Sequence, residues 1–93
     1  MLTHNKYFDG QVQSVGFERN GRQQTVGVIA PGEFHFNTNG AERMTVVSGE
    51  LRVRVTGSTE WHVYAAGAAF EVAAQSGFDV RADRPAAYWC EFL

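Results

Sequence analysis

The chain has 93 residues, 44% of them apolar and 13% aromatic, with ten glycines and two prolines. That suffices for one compact domain spanning residues 1–93 and leaves no room for a second. Eight basic against ten acidic residues give a formal charge of −2 without a charge run, so no basic patch for nucleic acid or an anionic membrane surface is expected.

The N-terminal MLTHNKYFDG lacks the apolar stretch of a signal peptide, and no run approaches the ~18 residues that span a bilayer. A cytoplasmic protein is expected, a setting that suits the lone Cys90 as a free thiol. Turn chemistry then recurs about every 8–11 residues, the interval of short antiparallel strands. The turns read as Asn20-Gly21, Pro31-Gly32, Asn39-Gly40, Ser48-Gly49, Gly57-Ser58, Ala66-Gly67, Ser76-Gly77 and Asp83 to Pro85. Between them lie runs rich in β-branched and aromatic residues, from QTVGVIA and EFHFNT to FDVRA and AAYWCEFL.

Strand side chains have a period of two. Phe34 and Phe36 therefore oppose Glu33 and His35; Leu51, Val53 and Val55 oppose Arg52, Arg54 and Thr56; Phe78 and Val80 oppose Asp79 and Arg81. No helical periodicity lasts two turns; Glu60 to Ala69 could be helical but reads as well as a strand and turn. The pattern predicts an all-β sandwich or barrel. Met44 to Val47 is apolar on both faces except for Thr45, Tyr88 to Leu93 is nearly continuously apolar, and a strand of that kind needs cover on both faces. In so short a chain, which buries only about 60–65% of the surface it exposes unfolded, a second subunit is the simplest cover, and a homodimer is expected.

Three histidines, His4, His35 and His62, raise the question of a metal. Small β-barrel metal sites pair two His one residue apart with a later Glu and a His on a further strand. The Glu42-x6-Gly49 element resembles the end of the first cupin motif. Counting back, a spacer of four puts His35 and Asn37 at the paired positions, and a spacer of three puts Phe36 and Thr38 there. The second motif resembles Gly67-x5-Ala73, and its His position falls on Phe78. At most one histidine remains, so neither a metal nor another cofactor is expected. Cys90 reads as a buried thiol, with a nucleophile as the sharper alternative.

Five strings together carry a resemblance: YFDGQVQSVGF, TVGVIAPGEFHFNT, ERMTVVSGELRV, EWHVYAAGAAFEV and the closing YWCEFL. They resemble the small cupin-like pyrimidine/purine nucleoside phosphorylases of bacteria, almost from end to end. The family's Val-Pro after the fourth string is Val72-Ala73 here, with Gln75 in the polar segment that follows; Ser76 and Phe78 still fit. The resemblance implies a cupin-like antiparallel β-barrel of jelly-roll type and a pentosyltransferase of broad specificity. Purine and pyrimidine nucleosides plus phosphate would give free base and pentose 1-phosphate, with inorganic phosphate as the co-substrate.

Such a reaction needs donors and positive charge for phosphate, a means of stabilising an oxocarbenium-like sugar, and a donor and apolar wall for the departing base. Glu42, on the same strand face as Met44, is the candidate catalytic carboxylate; a salt bridge to Arg43 or Arg22 is its structural alternative. Thr38 and Thr45 offer hydroxyls to the substrate, and Phe36, Tyr64, Phe78 and Tyr88 offer a wall on which any base can stack. Arg22, Arg43 and Ser48 are the candidate phosphate ligands, with Arg81 a further arginine to consider. His35 lies beside this group. The competing expectation is a non-catalytic cupin-like module that binds a sugar or nucleotide-like ligand; a metal-dependent cupin is a weaker third.

Overall fold

The computed structural model describes residues 1–93. Ten strands follow one another: β1 (Thr3–Tyr7), β2 (Val12–Arg19), β3 (Arg22–Ile29), β4 (Gly32–Thr38), β5 (Glu42–Ser48), β6 (Glu50–Val55), β7 (His62–Ala65), β8 (Ala69–Val72), β9 (Ser76–Ala82) and β10 (Ala86–Phe92), with one 3-10 turn at Phe8–Gly10. The stretch from Glu60 to Ala69 is strand and turn, not helix. No helix is long and apolar enough to cross a membrane.

All pairings are antiparallel. They give a six-stranded sheet in the order β1-β2-β3-β10-β5-β8 and a four-stranded sheet in the order β4-β9-β6-β7. The all-β expectation holds, but hydrogen-bonded strands do not close the two sheets into one barrel. The sheets share a core instead. Val12, Ile29, Met44, Val46, Val72 and Cys90 of the larger sheet are buried with Leu51, Val53, Phe78 and Val80 of the smaller one. Period-two alternation decides which residues enter it: on β5, Met44 and Val46 are buried while Val47 is 55% exposed, and on β10, Tyr88 and Cys90 are buried while Trp89 and Glu91 are only partly so.

The strand links follow their turn residues, with one exception. Asn20 and Gly21 both have positive φ, 54° and 74°, the type I′ geometry that joins strands whose twist is right-handed; β2 and β3 close around it in the register Arg19↔Arg22. Ser76-Gly77 is not a turn. Both residues are in β9, and the reversal falls at Ala74-Gln75, where Gln75 has φ 53°. Gly77 serves close approach instead: a Cβ there would stand 2.7 Å from the Phe36 carbonyl oxygen and 3.1 Å from His35 Nε2.

The outer face of the larger sheet is apolar across its middle. Val15 of β2 is level with Val26 of β3, Val26 with Trp89 of β10, and Trp89 with Thr45 of β5. Val15 and Val26 are 40% and 44% exposed, and Val28 and Val47 beside them are more so. At one end of the row, Arg22 and Arg43 both reach Glu91, at 3.6 and 3.7 Å.

Candidate active site

A cavity of about 420 Å³ opens between the two sheets. Its floor comes from the inward-facing residues of the larger sheet: Ser14 on β2, Thr25 on β3, Glu42 and Met44 on β5, and Tyr88, Cys90 and Phe92 on β10. Phe36 of β4 and Phe78 of β9 form the opposite wall, their rings stacked at 5.4 Å with 23° between planes. Tyr7, Phe8, His35, Asn37, Asn39 and Gly40 complete the rim. Because β4 is an edge strand, the cavity meets the outward-facing His35 and Asn37 as well as the inward-facing Phe36.

Glu42 is the only carboxylate lining the cavity. It is half-buried, and its Oε1 accepts a hydrogen bond from Cys90 Sγ at 3.4 Å. Burial raises its carboxyl above the ordinary 4.5, outweighing the opposite effect of the thiol, because desolvation disfavours the charged form. The expected alternative of a salt bridge to Arg22 or Arg43 is not formed; Arg43 follows Glu42 directly and so points to the other face. Burial likewise pushes the Tyr88 hydroxyl up to about 12 and the Cys90 thiol well above its usual range. Cys90 at neutral pH is therefore a thiol and not a nucleophilic thiolate.

His35 is held at both ends. Its Nδ1 lies 2.8 Å from Asp79 Oδ1 and its Nε2 3.0 Å from Asn37 Oδ1. Asp79 in turn accepts two hydrogen bonds on Oδ2 from Arg54, at 3.1 and 2.9 Å. The bond to Asp79, followed by that to Asn37, raises the His35 pKa above 6.5, while His35 and Arg54 hold the Asp79 carboxyl below 3.8. The Arg54 guanidinium also lies 4.5 Å from the centre of the Trp61 ring, with Arg81 4.7 Å from it.

The other expected residues are dispersed. Thr38 is buried and spans the ends of two strands, donating to Ala73 O at 2.7 Å and accepting from Ser76 N at 3.0 Å. Thr45 and Arg43 share the outer face of the larger sheet, where Arg43 pairs with Glu71 at 3.0 Å. Tyr64 packs against Phe70, 4.7 Å between ring centres, outside the cavity lining. Ser48 lies in a separate polar depression with Glu50, Asp83 and Arg84. Arg81 binds Glu33 at 2.8 Å, His62 lies 3.8 Å from Glu60, and His4 meets Gln13. Nowhere do three His, Cys, Asp or Glu side chains converge as a metal-ligand set.

Phe8 belongs to the site although its sequence position does not advertise it. Phe8 and Asp9 have φ of 53° and 56°, left-handed geometry that costs a non-glycine residue about 1 kcal/mol or more. This backbone carries the Phe8 ring to within 5.8 Å of Phe36, edge to face, and 5.0 Å of Phe34. The aromatic pair before Gly10 in YFDG was the available signal; its placement depends on β1 pairing with β2.

The family model for pyrimidine/purine nucleoside phosphorylase matches residues 2–92. A pyrimidine/purine nucleoside phosphorylase of Sorangium cellulosum (strain So ce56) is 71% identical over 93 residues, covering all of both chains. A solved protein of unknown function from Vibrio parahaemolyticus is 42% identical, with a TM-score of 0.98 over 100% of this chain and 99% of its own. A cupin superfamily protein from Desulfitobacterium hafniense DCB-2 superposes with a TM-score of 0.75 at 13% identity, over 96% of this chain and 83% of that one. The last is a likeness of fold alone.

Proposed function

The chain belongs to the pyrimidine/purine nucleoside phosphorylase family, and from that premise we propose that its cavity carries out phosphorolysis with Glu42 as the acid. The enzyme converts purine and pyrimidine nucleosides and inorganic phosphate to free base and pentose 1-phosphate. One observation carries the assignment to this site: a single half-buried carboxyl faces a stacked aromatic wall in a cavity of about 420 Å³, within the usual size range of small-molecule sites.

A phosphate oxygen attacks C1′ as the bond from C1′ to the base nitrogen breaks, and the bonding pair leaves with the base. Phosphate entering beside Glu42 adds like charge and raises further a pKa that burial has already raised. Glu42 is then protonated in the ternary complex and gives its proton to the departing base. The proton released by phosphate on forming the ester restores it. Phosphate itself stabilises the oxocarbenium-like sugar. Phe36, backed by Phe78 and flanked by Phe8, stacks the base, which is compatible with purines and pyrimidines alike. Tyr88, Ser14 and Thr25 supply hydroxyls beneath the sugar.

The reading needs no metal and no cofactor beyond the phosphate co-substrate. A homodimer goes with it, formed by the outer face of the larger sheet: the Val15–Val26–Trp89 row, with a charged rim at Arg22, Glu91 and Arg43, has the apolar centre and polar edge of a protein interface. A reducing cytoplasm suits the free Cys90. The test is phosphate-dependent release of base by the wild type and its loss in Glu42→Gln. A binding module would show a ligand-dependent rise in thermal midpoint without base release.

A further inference from the structure

We propose that Asn37 is the donor that receives the phosphate at the rim of the cavity, and that His35 is the positioning residue that aims it. The inference rests on the phosphorylase reading and identifies how its co-substrate is held.

The cavity lining contains no arginine or lysine, so among the residues that line it His35 is the one able to carry positive charge. Cross-strand register places His35 directly opposite Asp79, and Asp79 directly opposite Arg54. Both ring nitrogens of His35 face acceptors, Asp79 Oδ1 and Asn37 Oδ1. Only the doubly protonated ring donates to both. With Asn37 Oδ1 engaged, its Nδ2 hydrogen-bonds no other protein group, and Asn37 lines the cavity. An imidazolium at position 35 thus presents an amide donor to an incoming oxyanion.

Loss of one proton reverses the arrangement. Neutral His35 keeps Nδ1–H for Asp79, and its Nε2 becomes an acceptor. The amide of Asn37 must then turn to offer Nδ2 to the ring, which aims Oδ1 at the phosphate site. The two ends of an amide are nearly equal in size, so the hydrogen-bond network alone selects the orientation. Phosphate would meet an acceptor in place of a donor and would lose the imidazolium charge as well.

The charged groups around His35 favour the protonated form. On β9 it faces Asp79, whose other oxygen is held by Arg54 of β6. Along β4 the next outward carboxylate is Glu33, neutralised by Arg81. Glu42 lines the same cavity from the opposite sheet. The raised pKa of His35 agrees with this arrangement.

Two measurements test the proposal. In the first, wild type, His35→Gln and Asn37→Asp are assayed for phosphorolysis from pH 6 to 9 with phosphate varied and nucleoside saturating, after thermal melts confirm folding. Relative to His35→Gln, which shares any effect of phosphate's own ionisation, the wild-type phosphate KM should climb above the His35 pKa, approaching about tenfold per pH unit. The value of kcat at saturating phosphate should move less. Asn37→Asp should raise the phosphate KM about 10- to 100-fold with the nucleoside KM little changed. In the second, NMR follows the His35 ring while inorganic phosphate alone is added, and its pKa should rise as phosphate saturates, since coupling is reciprocal. A wild-type pH profile in His35→Gln, or a His35 pKa indifferent to phosphate, overturns the proposal while base release by the wild type leaves the phosphorylase reading intact. If no base is released, that reading fails, and the NMR titration still decides whether phosphate docks here.

Discussion

Gly27 and Tyr88 stand directly opposite each other on β3 and β10, and a Cβ at position 27 would lie 2.6 Å from the Tyr88 hydroxyl oxygen. The missing side chain on one strand makes room for the phenol of the next and thereby shapes the cavity floor. Gly27→Ala would also bring a methyl to 2.7 Å from the Gln13 carbonyl oxygen, so neither neighbour can yield cheaply. Overpacking of this kind costs about 1–3 kcal/mol. Thermal denaturation should show that loss, and a midpoint equal to wild type would mean Tyr88 is free to move.

Glu42→Gln is expected to stabilise the fold as it disables the site. A carboxyl whose folded pKa lies above 4.5 binds its proton more tightly in the native state than in the unfolded one. Native stability therefore falls as pH rises from 4.5 through the folded value. The amide removes that penalty at neutral pH, so the melting midpoint of the variant should exceed wild type at pH 7.5, with the difference shrinking towards pH 4. A lower midpoint at pH 7.5 would contradict the desolvated carboxyl.

The His35–Asp79 pair works in the opposite direction. Its raised histidine pKa contributes stability that is complete below 6.5 and fades as pH rises through the folded value. Its lowered aspartate pKa contributes stability that is present above 3.8 and fades as pH falls through the folded value. Denaturant melts of wild type minus Asp79→Asn should thus differ most between these limits. The groups are solvent-accessible, so the difference should stay within about 1 kcal/mol. A difference that grows above pH 8 would reverse the assignment.

Interface formation gives a prediction independent of catalysis. Wild type should behave as a dimer of its 10.3 kDa chain in light scattering, and Val26→Glu, in the middle of the apolar row, should shift it to monomer. A dimer that survives that charge would place the contact on another face.

Metal independence predicts that exhaustive chelation followed by gel filtration leaves kcat/KM unchanged. Restoration of lost activity by a divalent cation would overturn it.

Much of this arrangement is legible in the sequence because strands alternate. Glu42 shares a face with Met44, and Phe36 with Phe34, by period two alone, and both faces are where alternation puts them. The same rule sets Arg43 opposite to Glu42, so local spacing already separates the two. Residue type misleads where one residue serves several structural ends. Gly77 reads as a turn glycine, yet it lies in mid-sheet because the Phe36 carbonyl approaches it. Thr38 reads as a ligand hydroxyl, yet its oxygen joins β4 to the turn before β9. The spacing that pairs Asn37 with His35 and the aromatic pair of YFDG are local signals, but the meeting of Phe8, Ser14 and Asn37 at one cavity depends on strands distant in sequence.

The central claim is that Glu42 protonates the departing base, and it is tested most directly by assaying Glu42→Gln on two nucleosides. Uridine needs a proton on its leaving base, whereas the base of N7-methylguanosine is already cationic. Phosphate-dependent release of uracil should fall about 10²- to 10⁴-fold, the usual worth of a general acid, while release of the methylated base falls far less. Equal losses on both substrates, or full activity on uridine, would contradict it.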